Sequence, residues 1–169
     1  DLGALEHALK RDPEESVLGI VCAIMWGNNE VGTIQPVNAV AELCRAQRAG
    51  LHIDAVQAFG RVPVRVDQVP CSTLAISGHK IGAPKGVGAL FVRAGTGPEA
   101  LTHGGGQERG LRPGTENLAG IVALGLAAEL AVAEMEREAT RLRSLRDRLQ
   151  SELIRQINGV TVNGGSVDR

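Results

Sequence analysis

Net charge is almost absent: 18 Lys and Arg stand against 19 Asp and Glu in 169 residues, a formal balance of −1. A chain so balanced has no global field to draw a nucleic acid or an anionic membrane, so neither is expected as a partner. No apolar run approaches the roughly 20 residues needed to span a bilayer, and no signal peptide is expected. A cytoplasmic location is the expectation. Cysteine is scarce, and Cys22, Cys44 and Cys71 lie far apart without a CxxC pair. An odd count at such spacing excludes a disulfide framework and a zinc site, so no metal is expected and each reads as a small buried hydrophobe. Internal repeats and low-complexity segments are missing too. There is no initiator Met, and residues 163–169 close in a loop-like stretch. Both ends look cut, and the chain is expected to be a piece of a longer protein.

What is present is ordinary for a globular domain: 43% hydrophobic and 22% charged residues. The length suits about one domain with a real core. Helical spacing of Leu2, Leu5 and Leu9 predicts a helix over residues 2–10. Residues 17–26 form a nearly continuous apolar run, the mark of a strand buried on both faces. Pro36 suits the first position of a following helix that carries Val37, Val40, Ala41, Leu43 and Cys44 and ends at Gly50. Leu51-His52-Ile53, residues 71–76 and residues 87–92 read as three more strands. Strand, helix, strand predicts an α/β fold: an open, mainly parallel sheet flanked by helices.

Beyond the fourth strand the chain changes character. The 22 glycines concentrate between Gly78 and Gly125, which implies backbone brought close to something. A glycine-rich loop over residues 103–115 precedes an apolar helix over residues 118–132. A charged helix follows, with Met135, Leu142, Leu145, Leu149, Leu153 and Ile157 on one stripe and a solvated face opposite. Val160-Thr161-Val162 reads as the opening of a strand in a second domain.

Open α/β sheets bind ligands beyond the carboxyl ends of their strands. Polar residues close three successive apolar runs here: Asn28 and Asn29, then Asp54 and Gln57, then Ser77, His79 and Lys80. A pyridine-based electron sink needs a carboxylate on its ring nitrogen and an amine to form a Schiff base, and Asp54 and Lys80 supply that pair. Asn29 or Gln57 can donate to a ring oxygen, and Ser77 and His79 can bind a phosphate. Each residue alone also has a plain explanation. Asp54 suits a helix N-cap, His79 a surface histidine, and Lys80 a solvated lysine. Lys85 is the competing amine, but Pro84-Lys85-Gly86 reads as a turn. Composition and spacing reach an α/β domain with a polar site, compatible with Schiff-base chemistry.

As strings, these segments resemble the cysteine desulfurases, pyridoxal-phosphate enzymes of the class V aminotransferase superfamily. The resemblance runs through Asn28-Asn29-Glu30-Val31-Gly32-Thr33-Ile34-Gln35-Pro36, His52-Ile53-Asp54-Ala55-Val56-Gln57 and Ser77-Gly78-His79-Lys80. It continues through Pro84-Lys85-Gly86-Val87-Gly88-Ala89-Leu90, His103-Gly104-Gly105-Gly106-Gln107-Glu108-Arg109-Gly110 and Arg112-Pro113-Gly114-Thr115-Glu116-Asn117. These blocks cover about residues 17–130 in family-like order. Ser-Gly-His-Lys belongs to the wider superfamily, whereas the last two blocks point to the desulfurase branch.

The resemblance implies a fold-type-I pyridoxal-phosphate transferase, with residues 1–133 in the large cofactor-binding domain and residues 134–169 opening the smaller C-terminal domain. It implies that Lys80 holds the cofactor, Asp54 pairs with the pyridine nitrogen, and Gln57 and Asn29 contact the ring oxygen, Asn29 also lying near the substrate carboxylate. Ser77 and His79 would bind the phosphate, and Thr115 would reach the phosphate of the partner in a homodimer. The implied activity removes sulfur from L-cysteine, giving alanine and an enzyme-bound persulfide for a sulfur-acceptor protein, as in iron–sulfur cluster assembly.

The departures matter as much. Ala83 stands where many relatives have glycine, and Pro113 where many have a small residue. The family's glycine turn, its ring-stacking histidine and its persulfide-forming cysteine have no counterpart here, so the chain alone is expected to be catalytically silent. Selenocysteine lyase or another class V enzyme is the rival activity. A non-catalytic dimerisation or partner-binding fragment is the rival of another class.

Overall fold

The computed structural model describes residues 1–10 and 19–165. The first helix, α1 (Leu2–Leu9), starts where the Asp1 carboxylate accepts from the Gly3 and Ala4 amides. That bond satisfies donors which the first turn leaves without partners. The helix packs on α2 (Val37–Ala46) and buries Leu9. Pro36 sits one place earlier than expected, at the N-cap of α2. The helix stops before Gly50: Arg48 takes the left-handed conformation (φ 53°), and Gly50 is already the first residue of a strand.

The sheet has four strands in the order β1 (Val21–Met25), β2 (Gly50–Asp54), β3 (Thr73–Ser77) and β4 (Gly88–Val92). The first three are parallel, with Cys22 beside Leu51, Ile53 beside Leu74, and both Met25 and Ala75 flanking Asp54. Residues 17 and 18 of the predicted first strand lie outside the described residues, and its first described strand residue, Val21, is exposed. The fourth strand is antiparallel to β3. Only ten residues separate Ser77 from Gly88, too few for the crossover a parallel pair needs. The mainly parallel α/β architecture expected from the sequence is therefore present, with an antiparallel edge.

The core lies between α2 and the sheet. Val37, Val40, Ala41 and Cys44 face Leu51, Ile53, Cys71 and Leu74, all buried. Cys44 and Cys71 serve as the small hydrophobes expected, and Cys22 is half-buried. Burial pushes the Cys44 thiol up to about 11, with Cys22 beside it adding to the effect. The thiol is therefore protonated and inert at neutral pH.

Arg93 ties the end of β4 to the loop before β3. Its guanidinium donates to the carbonyls of Cys71 (2.6 Å), Val66 (2.7 Å) and Val69 (2.9 Å), and lies 5.4 Å from the Phe91 ring centre. Replacing it by Leu leaves three part-buried carbonyls without that donor. We expect Arg93→Leu to destabilise the full-length protein by about 2–4 kcal/mol in urea unfolding. A loss below about 0.5 kcal/mol would place Arg93 among surface residues of no consequence.

Residues 118–132 and the charged segment after them form a single helix, α3 (Leu118–Gln156), rather than two. The change from apolar to charged composition near residue 133 is not a stop signal. No proline interrupts the run, and the Arg–Glu pairs 137–134, 141–138 and 155–152, each three residues apart, support the charged half. Asn117 caps the start by accepting from the Gly120 amide. At 1.5 Å per residue the helix is roughly 58 Å long. An 18-residue window within it has mean hydropathy 1.8, apolar enough by length and composition to cross a membrane. That corrects the expectation that no such run exists. Of the expected stripe, Leu142, Leu145, Leu149, Leu153 and Ile157 are exposed and Met135 is half-buried. Residues 160–162 belong to no strand.

Candidate active site

Parallel pairing brings the carboxyl ends of β1, β2 and β3 to one edge. Asp54 ends β2, and its carbonyl accepts from Trp26 N at 2.9 Å while the next amide, Ala55 N, donates to Ala75 O at 2.9 Å. The backbone at Asp54 is thus tied to both neighbouring strands. Its half-buried carboxylate accepts from Val56 N through Oδ1 at 2.9 Å, and Oδ2 has no partner among the described residues. Asp54 does cap, but it caps a turn, because no α-helix follows β2.

Ser77 ends β3 and leads into one 3-10 turn, Gly78–Lys80. The Ser77 hydroxyl and His79 Nδ1 are 2.8 Å apart, so the two residues expected to share a phosphate share a hydrogen bond. Gly78 must be glycine here. A Cβ would stand 2.9 Å from Val87 Cγ1 and 3.0 Å from both Ala83 Cβ and Val87 O. The Gly78 carbonyl accepts from the amides of Ile81 and Ala83, closing the turn. Lys80 is half-buried and its ammonium has no partner among the described residues; Lys85 is exposed.

Asn29 is exposed in the loop after β1. The Asn28 carboxamide oxygen holds that loop by accepting from Glu30 N and Val31 N, both at 2.9 Å. Asn29 and the half-buried Gln57 line one cavity of about 460 Å³, together with Trp26, Arg61, Arg143 and Arg146. Asp54, Ser77, His79 and Lys80 do not line it, nor does Thr115. Thr115 is exposed at the end of a loop braced from within, where Gln107 Oε1 accepts from Gly114 N and Arg112 donates to Gly114 O at 2.7 Å. Of the site residues, Asn29 and Gln57 thus share the cavity and Ser77 and His79 share a hydrogen bond, while among the described residues no hydrogen bond joins the side chain of Asp54, Lys80 or Thr115 to either pair.

The residue that sequence reasoning missed is Arg61, which donates to the backbone of both Gln57 and Lys80. Nothing in its local sequence distinguishes it from a surface arginine.

The family model for class-V aminotransferases matches residues 13–169. The chain belongs to the class-V aminotransferase family. Within that family it is 48% identical over 149 residues to a cysteine desulfurase of Gluconacetobacter diazotrophicus, covering 88% of this chain and 37% of the relative. It is 44% identical to the cysteine desulfurase IscS of Dictyoglomus turgidum, covering 98% and 40%. The chain thus spans about two fifths of the length of these curated relatives. The X-ray structure of a NifS-like protein from Rickettsia africae superposes with a TM-score of 0.91 at 31% identity, covering 100% of this chain and 46% of that one. The match takes in the whole length of the class-V chain, so α3 is an element of that fold.

Proposed function

We propose that the full-length protein is a pyridoxal-phosphate-dependent cysteine desulfurase. It takes sulfur from L-cysteine, releases alanine, and leaves the sulfur as a persulfide on a cysteine outside this chain. The observation that carries the reading is Lys80: a half-buried ammonium without a partner among the described residues, on the turn that also joins Ser77 to His79. An amine that spends no charge on a structural contact is free to hold a carbonyl cofactor. The similarity to named cysteine desulfurases supports the substrate.

The donor set fits the group. Pyridoxal phosphate, when bound, supplies the electron sink. Asp54, with one carboxylate oxygen uncommitted, keeps the ring nitrogen protonated. Lys80 holds the cofactor and moves the proton at its own Nζ. Ser77 and His79 receive the phosphate. Gln57 donates to the ring oxygen, and Asn29 does so while also serving the substrate carboxylate. Thr115 completes the phosphate site of the partner subunit in a homodimer. The persulfide sulfur passes to an acceptor protein, as iron–sulfur cluster assembly requires. We place the protein in the cytoplasm. Residues 1–133 form part of its cofactor domain and residues 134–169 the start of a smaller one, with α3 continuing from one to the other.

The test is product analysis. Full-length protein with the cofactor and a thiol reductant is expected to yield sulfide and alanine in equal amounts from L-cysteine. Conversion of selenocysteine with cysteine left untouched would move the assignment to selenocysteine lyase. Absence of both reactions from a folded, cofactor-loaded protein would end it.

A further inference from the structure

A three-residue turn does not by itself hold a lysine to the tolerance that chemistry needs. Its backbone must be braced by groups that are themselves fixed. Only one side chain among the described residues donates to the Lys80 backbone: Arg61, nineteen positions earlier, bonds to Lys80 O at 3.2 Å. The same guanidinium donates to Gln57 O at 3.3 Å through its other terminal nitrogen. One planar fork therefore spans the loops that follow β2 and β3. A guanidinium suits this task because its donors diverge in fixed geometry.

The base of that fork is held as well. Gly60 has φ +75°, and a Cβ there would stand 2.9 Å from Ala131 Cβ on α3 and 3.2 Å from Ile81 Cγ2. The backbone beside Arg61 is thus pressed between α3 and the residue that follows Lys80. Arg61 is itself exposed, so what anchors its fork is the close packing of its neighbour Gly60.

We infer that Arg61 is a positioning residue: it sets the Lys80 turn against the Gln57 loop and so fixes where the lysine amine stands. This rests on the roles proposed above for Lys80 and Gln57. Arg61 itself touches no reacting atom.

The experiment uses the full-length protein with Arg61→Ala and Arg61→Lys. In the cofactor-free state, amide exchange at Ile81 and Ala83, whose N–H groups bond to Gly78 O, is expected to quicken about tenfold in Arg61→Ala. Exchange at Leu51 and Ile53 in β2 should stay as in the wild type. In the loaded state, the pH midpoint of the visible cofactor band is expected to move in Arg61→Ala. It should return toward the wild-type value in Arg61→Lys, which keeps one cationic donor. Unchanged exchange at Ile81 and Ala83 overturns the brace. Faster exchange with an unmoved midpoint overturns the positioning of the amine and leaves Arg61 a stabilising residue. If the wild type takes up no cofactor while exchange still quickens, the brace stands and the proposed function fails.

Discussion

Lys80→Ala should abolish covalent attachment of the cofactor in the full-length protein, and with it all turnover of L-cysteine. Loss of its proton transfer alone would cost on the order of 10²–10⁴-fold, and loss of the covalent linkage comes in addition. Borohydride reduction followed by peptide mapping reads the attachment directly: label on Lys80 in the wild type, none in Lys80→Ala. Stability should change little, by about 0.5 kcal/mol or less, because the ammonium makes no hydrogen bond or ion pair with a described residue. That separation of activity from stability is the signature of a site residue. Lys85→Ala, at the exposed turn before β4, should behave as wild type. Label retained in Lys80→Ala and lost in Lys85→Ala would show that the wrong amine had been chosen.

Asp54 offers a sharper discrimination, since its carboxylate has two tasks that can be divided. Oδ1 accepts from Val56 N, and the charge as a whole is proposed to hold a ring nitrogen protonated. Asp54→Asn keeps an acceptor for the turn and discards the charge. We expect it to retain the fold while activity falls on the order of 10²-fold or more, the scale for removing one aimed electrostatic partner. Asp54→Ala should lose the activity and, in addition, about 1 kcal/mol for the missing cap. Measuring turnover and urea unfolding on the same preparations separates the two tasks. Full activity in a folded Asp54→Asn protein would reduce Asp54 to a turn residue and remove the ring-nitrogen assignment.

Much of this was legible because the signals are local. Apolar runs ending in polar residues placed Asp54 and Ser77 just beyond the second and third strands, and the structure makes them the last residues of β2 and β3. The period-3.6 pattern of Val37, Val40, Ala41 and Cys44 placed the buried face of α2. The misreadings arose where composition stood in for conformation. A polarity change near residue 133 suggested two helices, although only a breaker would have ended α3. Gly50 was taken for a helix stop because glycine usually is one, yet Arg48 makes the left-handed turn. Arg61 and Arg93 were invisible for a different reason. Apart from Gln57, four positions from Arg61, their acceptors lie 19 to 27 positions away, on Lys80, Cys71, Val69 and Val66, and only the sheet topology brings these within reach. Thr115 was named by resemblance alone, and its proposed partner belongs to another subunit.

The strand order carries one more consequence. Strand β1 lies at the margin of the described sheet, with a sequence, Val-Cys-Ala-Ile-Met, that has neither proline nor charge. Its outer row of amide and carbonyl groups is a template on which another extended segment can pair, and Val21 and Ala23 present side chains to solvent beside it. Handled by itself in solution, a polypeptide of this sequence has a sticky margin, so its colloidal behaviour depends on what docks along β1 before a second molecule does.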